Sequence, residues 1–159
     1  MLQRTEQRMS RLIVRSSRLH TIVILTGGLL IQTIIMIFFS LFWWKDVSES
    51  FRFGSLMNQI FLLVILAPVL ETLIVQYGII DFTLSKFKSN TLAIILSAVG
   101  FGLFHYYSAQ YVVATFFSGI LFAFIYLIFK TKNGRPILFV SVLHALYNLF
   151  LLIMKHSFE

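Results

Sequence analysis

Three ionisable side chains stand in long apolar stretches of this 159-residue chain: Glu71, His105 and His144. An ionisable group inside a membrane helix costs roughly 3 kcal/mol or more at mid-bilayer, so each is a functional-site candidate. His144 and Asn148 are four residues apart, which puts an imidazole and a carboxamide on one helix face, able to act on the same small object. Phe101 and His105 share that spacing and would stack ring beneath imidazole. Thr72 and Gln76 are also four apart, so Gln76 can hydrogen-bond Thr72 within the helix or reach a neighbouring one. Pro68, just before Glu71, frees a backbone carbonyl one turn upstream and predicts a bend near the acid.

The chemistry open to this set is water activation. A carboxylate in a dry pocket can take a proton from water and deliver it to a leaving amine. Two imidazoles and an Asn can then stabilise an oxyanion or hold a metal. A zinc site made of Glu71, His105 and His144 would have the open His₂Glu form of a hydrolase, but it would leave no second acid to serve as base. Glu71 is therefore read as the general base, with the cofactor open between a divalent metal such as zinc and none. Other roles exist for each residue alone. A lone intramembrane His often ties helices together, and a lone Glu can carry protons in a transporter. Ser108, Ser118 and Ser141 lack a Ser-His-Asp partner set, and Asp81 falls at a membrane edge, so neither serine hydrolysis nor a paired-aspartate mechanism is supported.

The elements that must position these groups follow from composition. Hydrophobic residues make up 58% of the chain and charged ones 12%, about half the roughly 25% of a soluble domain, which excludes a water-soluble globule. Eighteen Phe with only eight Gly and two Pro exclude collagen-like and disordered classes. The absence of Cys removes disulfides, thiolate metal sites and a cysteine nucleophile. The net charge of +7 does not point to nucleic acid, because the basic residues sit between apolar runs, where they set membrane orientation.

The expectation is an all-α polytopic membrane protein of about five transmembrane helices. Residues 1–20, with Arg4, Arg8, Arg11, Arg15 and Arg18, form a basic juxtamembrane segment, and residues 21–159 form one transmembrane domain. The first span runs from about Thr21 to the interfacial pair Trp43 and Trp44, too long for a cleaved signal peptide. A charged loop with Lys45, Asp46, Glu49 and Arg52 precedes a second span, about Phe53 to Ile80. Asp81, Lys86, Lys88 and Asn90 mark the next loop. No charged residue follows until Lys130, so the polar cluster from His105 to Tyr111 is read as a turn between two helices. Lys130 to Pro136 is a loop, and a fifth span covers about Ile137 to Met154. Ten Lys and Arg on one side against three on the other predict a cytoplasmic N-terminus and an outward C-terminus. Counting up each helix places Glu71 and His144 in the inner half to middle of the bilayer and His105 nearer the outer side, and only a short, tilted or late-starting third helix would bring His105 level with the others.

The ordered set resembles a family. Ala67-Pro68-Val69-Leu70-Glu71-Thr72-Leu73-Ile74-Val75-Gln76, then Phe101-Gly102-Leu103-Phe104-His105, then His144-Ala145-Leu146-Tyr147-Asn148 are similar to the three motifs of the CPBP intramembrane proteases, also called Abi. That family includes CAAX prenyl endopeptidases and bacteriocin-processing or immunity proteins. Its motifs read Glu-Glu-x-x-x-Arg, Phe-x-x-x-His and His-x-x-x-Asn/Asp. The resemblance covers about residues 57–154 and implies Glu71 as the acid that activates water, His105 as the second-motif His, and His144 with Asn148 as an oxyanion or water clamp. Metal-dependent and metal-independent mechanisms have both been put forward for the family. Thr72 and Gln76 stand where the family has Glu and Arg; losing both charges together avoids an unpaired one, and a neutral Thr72–Gln76 contact would replace the ion pair. Members often carry about eight helices, so the resemblance leaves room for an oligomer or a membrane partner.

These readings lead to an intramembrane endopeptidase of the bacterial cytoplasmic membrane, acting on a peptide or protein substrate such as a prenylated C-terminus or a leader peptide. The alternatives are a non-catalytic scaffold such as a bacteriocin self-immunity protein and a small proton-coupled transporter.

Overall fold

A computed structural model describes the backbone of residues 2–49, 54–132 and 135–158 and the side chains of residues 18–41, 54–131 and 135–157. Five helices account for nearly all of it: α1 (Leu2–Glu49), α2 (Leu56–Phe87), α3 (Asn90–Phe104), α4 (Ala109–Lys132) and α5 (Pro136–Phe158). No strand occurs among the described residues. The protein is an all-α polytopic membrane protein, as composition requires.

Four of the helices, α1, α2, α4 and α5, contain stretches long and apolar enough to cross a membrane. The third does not. Its 15 residues reach about 22 Å at 1.5 Å per residue, against a hydrocarbon thickness of roughly 30 Å. The expected five full spans are thus four and one short helix. The helix of α1 also continues through Lys45 to Glu49, which the sequence reading put in a loop. The side chains of Arg4, Arg8, Arg11, Arg15, Trp43 and Trp44 lie outside the described residues.

The turns follow local chemistry. Asp81 and Lys86 are helical rather than looped, and the α2–α3 connection narrows to Lys88, in the left-handed region at φ 51°, and Ser89, whose Oγ caps Leu92 N at 3.2 Å. After α3 the chain turns at His105, whose N–H donates to Gly102 O at 3.0 Å, and Ser108 Oγ caps the start of α4 by accepting from Tyr111 N at 3.1 Å. The predicted turn is there, with Tyr111 already inside α4.

Helix α2 is irregular around its proline. Wide π-helical turns, Ile60–Leu66 and Thr72–Ile79, flank a five-residue α-helical segment, Ala67–Glu71, that carries both Pro68 and Glu71. Such turns are rare and recur at functional sites. Pro68 has no N–H to give, and the disturbance it causes takes the form of a register change: Ala67 N–H reaches back five residues to Leu62 O.

Helix α4 is the central one, with half of its most apolar stretch inside the protein against 22% for α1 and α2. Phe101, Phe122, Tyr126 and Leu143 pack the core between α3, α4 and α5. Two glycines let α3 and α4 close: a Cβ on Gly119 would lie 2.9 Å from both Ala98 Cα and Phe101 Cβ, and one on Gly102 would lie 2.9 Å from Val112 O. The outward faces carry exposed Ile34, Leu103 and Phe124, a surface suited to lipid rather than water.

Candidate functional site

Each of the three ionisable residues is delivered by a different device. Glu71 ends the α-helical segment between the two π turns of α2. His105 is the residue that stops α3, and His144 lies on the buried face of α5. His105 Nε2 and His144 Nε2 both face one carboxylate oxygen, Glu71 Oε2, at 3.7 and 3.9 Å.

His105 is therefore not set apart near the outer side, as counting along a full span suggested. Because α3 is short, its end rises only about 22 Å from Asn90, while Glu71 stands sixteen residues, or about 24 Å, above the far end of α2. The two arrive level, and His144 meets them from α5.

The imidazoles are held differently. His105 Nδ1 lies 2.8 Å from Phe101 O; a carbonyl only accepts, so Nδ1 bears the hydrogen and a neutral ring turns its Nε2 lone pair toward Glu71. His144 Nδ1 is buried without a partner among the described residues. A hydrogen there would be a buried donor with nothing to give it to, so the proton belongs on Nε2, facing Glu71. Phe101 is the floor for both rings, with centroids 4.7 Å from His105 and 5.5 Å from His144. The i, i+4 stacking of Phe101 and His105 is as the spacing predicted.

A cavity of about 280 Å³ opens over this group and includes Glu71, His105, His144 and Asn148 in its wall. Glu71 Oε2 is buried and unpartnered among the described residues, while the side chain as a whole retains 20% exposure on the cavity wall. Along α2 the wall is apolar, with Leu62, Leu66 and Leu70 one turn apart.

His144 and Asn148 share a face, as read from their spacing, and both line the cavity. The Asn148 carboxamide is already engaged: Nδ2 donates to Leu63 O at 2.7 Å. Ser141, one turn before His144, donates to Pro68 O at 3.4 Å. His144 thus stands between two ties from α5 to the backbone of α2.

The expected Thr72–Gln76 contact is absent. Both residues are fully buried, and Thr72 Oγ1 and both polar atoms of the Gln76 amide have no hydrogen-bond partner among the described residues. They lie in a π turn, where the angular step per residue differs from the α-helix on which the i, i+4 argument rests. Neither lines the cavity.

Three-ligand metal binding does not fit this arrangement. Tetrahedral ligands 2.0–2.1 Å from zinc stand about 3.3 Å apart, and both Nε2 to Oε2 separations are longer. Among the described residues no group of three or more His, Asp or Glu is placed to hold a metal ion.

Sequence reasoning missed residues on the cavity wall. Gln32 of α1 is 2% exposed and donates from Nε2 to Ser118 Oγ at 2.8 Å, while Tyr111, 5.5 Å from His105 between ring centroids, and Tyr147 also line the cavity. The signal for Gln32 was available: it is an amide in the middle of an otherwise apolar span. The tyrosines carried no such signal, because helical aromatic stretches face lipid as readily as a cavity.

Neither a curated protein nor a solved structure matches the chain. The family model for type II CAAX prenyl endopeptidase Rce1-like proteins matches residues 53–150, 98 of the 159, and spans Glu71, His105, His144 and Asn148. With more than half its length so matched, the chain belongs to the Rce1-like family of CAAX-type intramembrane proteases.

Proposed function

We propose that this protein is an active intramembrane endopeptidase that hydrolyses a peptide bond by Glu71-activated water. The observation that carries this reading is the convergence of both imidazole Nε2 atoms on Glu71 Oε2 at the wall of a cavity, with no partner among the described residues completing the carboxylate. An acid left unsaturated in this way is available to a reactant.

In the proposed reaction a water at Glu71 loses a proton to the carboxylate as its oxygen attacks the scissile carbonyl carbon. Two acceptors, Glu71 Oε2 and the neutral His105 Nε2, face each other at 3.7 Å, and the proton taken from water relieves their opposition. The His144 Nε2–H stabilises the oxyanion of the tetrahedral intermediate. Collapse breaks the C–N bond, and the stored proton goes to the leaving amine. Thr72 and Gln76 replace the family's charged pair away from the cavity wall, which supports retention of the catalytic groups.

The apolar α2 wall suits a lipidated or hydrophobic C-terminal peptide, and the family's prenylated substrates are the class we propose. The test uses a quenched fluorescent farnesylated peptide ending in Cys-aliphatic-aliphatic-Met, with the protein in proteoliposomes. Glu71→Gln and His144→Ala are expected to abolish cleavage at unchanged protein level. Full activity in either variant would sink the reading and favour a non-catalytic scaffold.

A further inference from the structure

The backbone around Pro68 contains an acceptor that its own helix cannot satisfy. In α-helical register Leu63 O would take the N–H of Ala67, but that N–H goes to Leu62 O instead. In the π register the donor would come from residue 68, and Pro68 has none. Leu63 O is thereby left without either helical donor. Asn148 Nδ2 fills the vacancy from α5, at 2.7 Å, one of the shortest side-chain ties between two helices here. One turn earlier on the same face of α5 lies His144: its Nδ1 is unpartnered among the described residues, its Nε2 stands 3.9 Å from Glu71 Oε2, beyond hydrogen-bond distance, and Phe101 and Phe122 pack against it at 5.5 and 5.0 Å between centroids. Such aromatic packing is not directional, and leaves the advance of the ring toward Glu71 to the helix that carries it. Besides apolar packing, α5 is tied to α2 by Asn148 on Leu63 O and, more weakly at 3.4 Å, by Ser141 on Pro68 O, and these two bonds bracket His144.

We infer that Asn148 is a positioning residue, its carboxamide standing in for the N–H that Pro68 lacks and so fixing His144 against Glu71. One of its two amide N–H donors is spent on Leu63 O, which fixes the side chain and with it the α5 face that carries His144. The inference rests on the peptidase reading for its kinetic consequence, while the coupling between Pro68 and Asn148 is a property of the fold and is measurable without catalysis.

Pro68→Ala supplies the missing donor: Leu63 O takes the new backbone N–H at position 68 in π register, or that of Ala67 after a return to α register. The experiment is a double-mutant cycle of Pro68→Ala and Asn148→Ala in purified full-length protein, read by thermal unfolding in detergent and by kcat and KM on the farnesylated peptide. Asn148→Ala is expected to lower kcat about 10–100-fold, the range of residues that orient a reacting group, with little change in KM. Asn148→Asp, which keeps the shape but cannot donate when ionised, is expected to follow it. In the double variant the melting temperature lost by Asn148→Ala returns toward wild type, and kcat falls no further, because both substitutions act through one hydrogen bond. Should Asn148→Ala fail to accumulate, recovery of the double variant is the same rescue. Losses in kcat that multiply, or a melting temperature that Pro68→Ala does not restore, overturn the inference. Cleavage persisting in Glu71→Gln while the thermal rescue holds would instead overturn the peptidase reading alone.

Discussion

Helix α2 carries two acids ten residues apart, and their surroundings are opposite. Asp81 is saturated: Tyr126 OH donates to Oδ1 at 3.1 Å and Lys130 Nζ to Oδ2 at 2.6 Å. Glu71 faces two imidazoles at 3.7 and 3.9 Å, both beyond hydrogen-bond distance, and its Oε2 has no partner among the described residues. Saturation makes Asp81 a fastener between α2 and α4. The withheld partner leaves Glu71 open for the role proposed above, and three helices with a proline-centred irregularity hold the groups in place. What sets Glu71 apart from other buried groups without a partner, such as Thr72 and Gln76, is that it lines the cavity, where an incoming molecule can complete it.

The contrast can be broken at its strongest point first. Replacing Glu71 by Gln removes the proton acceptor, and cleavage of the farnesylated peptide is expected to fall by about 10²–10⁴-fold with an unchanged melting temperature. Gly119→Ala attacks the support rather than the acid. Its methyl group meets Ala98 Cα and Phe101 Cβ at 2.9 Å, so Phe101 must shift under both imidazoles. A stability loss of about 1–3 kcal/mol is expected, together with reduced kcat per folded molecule, read by thermal unfolding and single-turnover cleavage. Gln32→Leu removes the α1 bond to Ser118, worth about 0.6–2 kcal/mol in a membrane interior, and is expected to raise KM more than it lowers kcat, because α1 closes the cavity without touching Glu71. Lys130→Met is the mildest. With side chains 38% and 30% exposed, the Lys130–Asp81 pair is worth about 0–1 kcal/mol, so a small drop in melting temperature with full specific activity is expected. A large activity loss there would erase the distinction between the two acids.

Much of the site was legible from residue types alone. Glu71, His105, His144 and Asn148 stand out because polar groups are costly in apolar helices, and the structure brings all four to one cavity wall. The stacking of Phe101 on His105 and the shared face of His144 and Asn148 follow from helical periodicity, which holds in α3 and α5. The same periodicity failed for Thr72 and Gln76, since it presumes an α-helix and they sit in a π turn. The level of His105 depended on the length of the third helix, which apolarity alone does not give; α3 stops after 15 residues, the short form under which His105 comes level with Glu71. Gln32 was passed over, though a single amide in an apolar span carries the same cost argument as the ionisable residues.

By itself, the amino-acid sequence determined the membrane, the helical class and the identity of the polar set, because solvent transfer energies and helix length depend only on composition and order. Tertiary structure decided which polar groups are satisfied and which are left open. Asp81 and Glu71 are similar acids on one helix, yet only packing gives the first a lysine and a tyrosine from α4 and the second two imidazoles just out of reach. It also decided that Leu63 O, orphaned by Pro68, finds its donor in Asn148, 85 residues away along the chain. Partner choice over such separations depends on where helices cross and how far each one rises, and local sequence does not encode either.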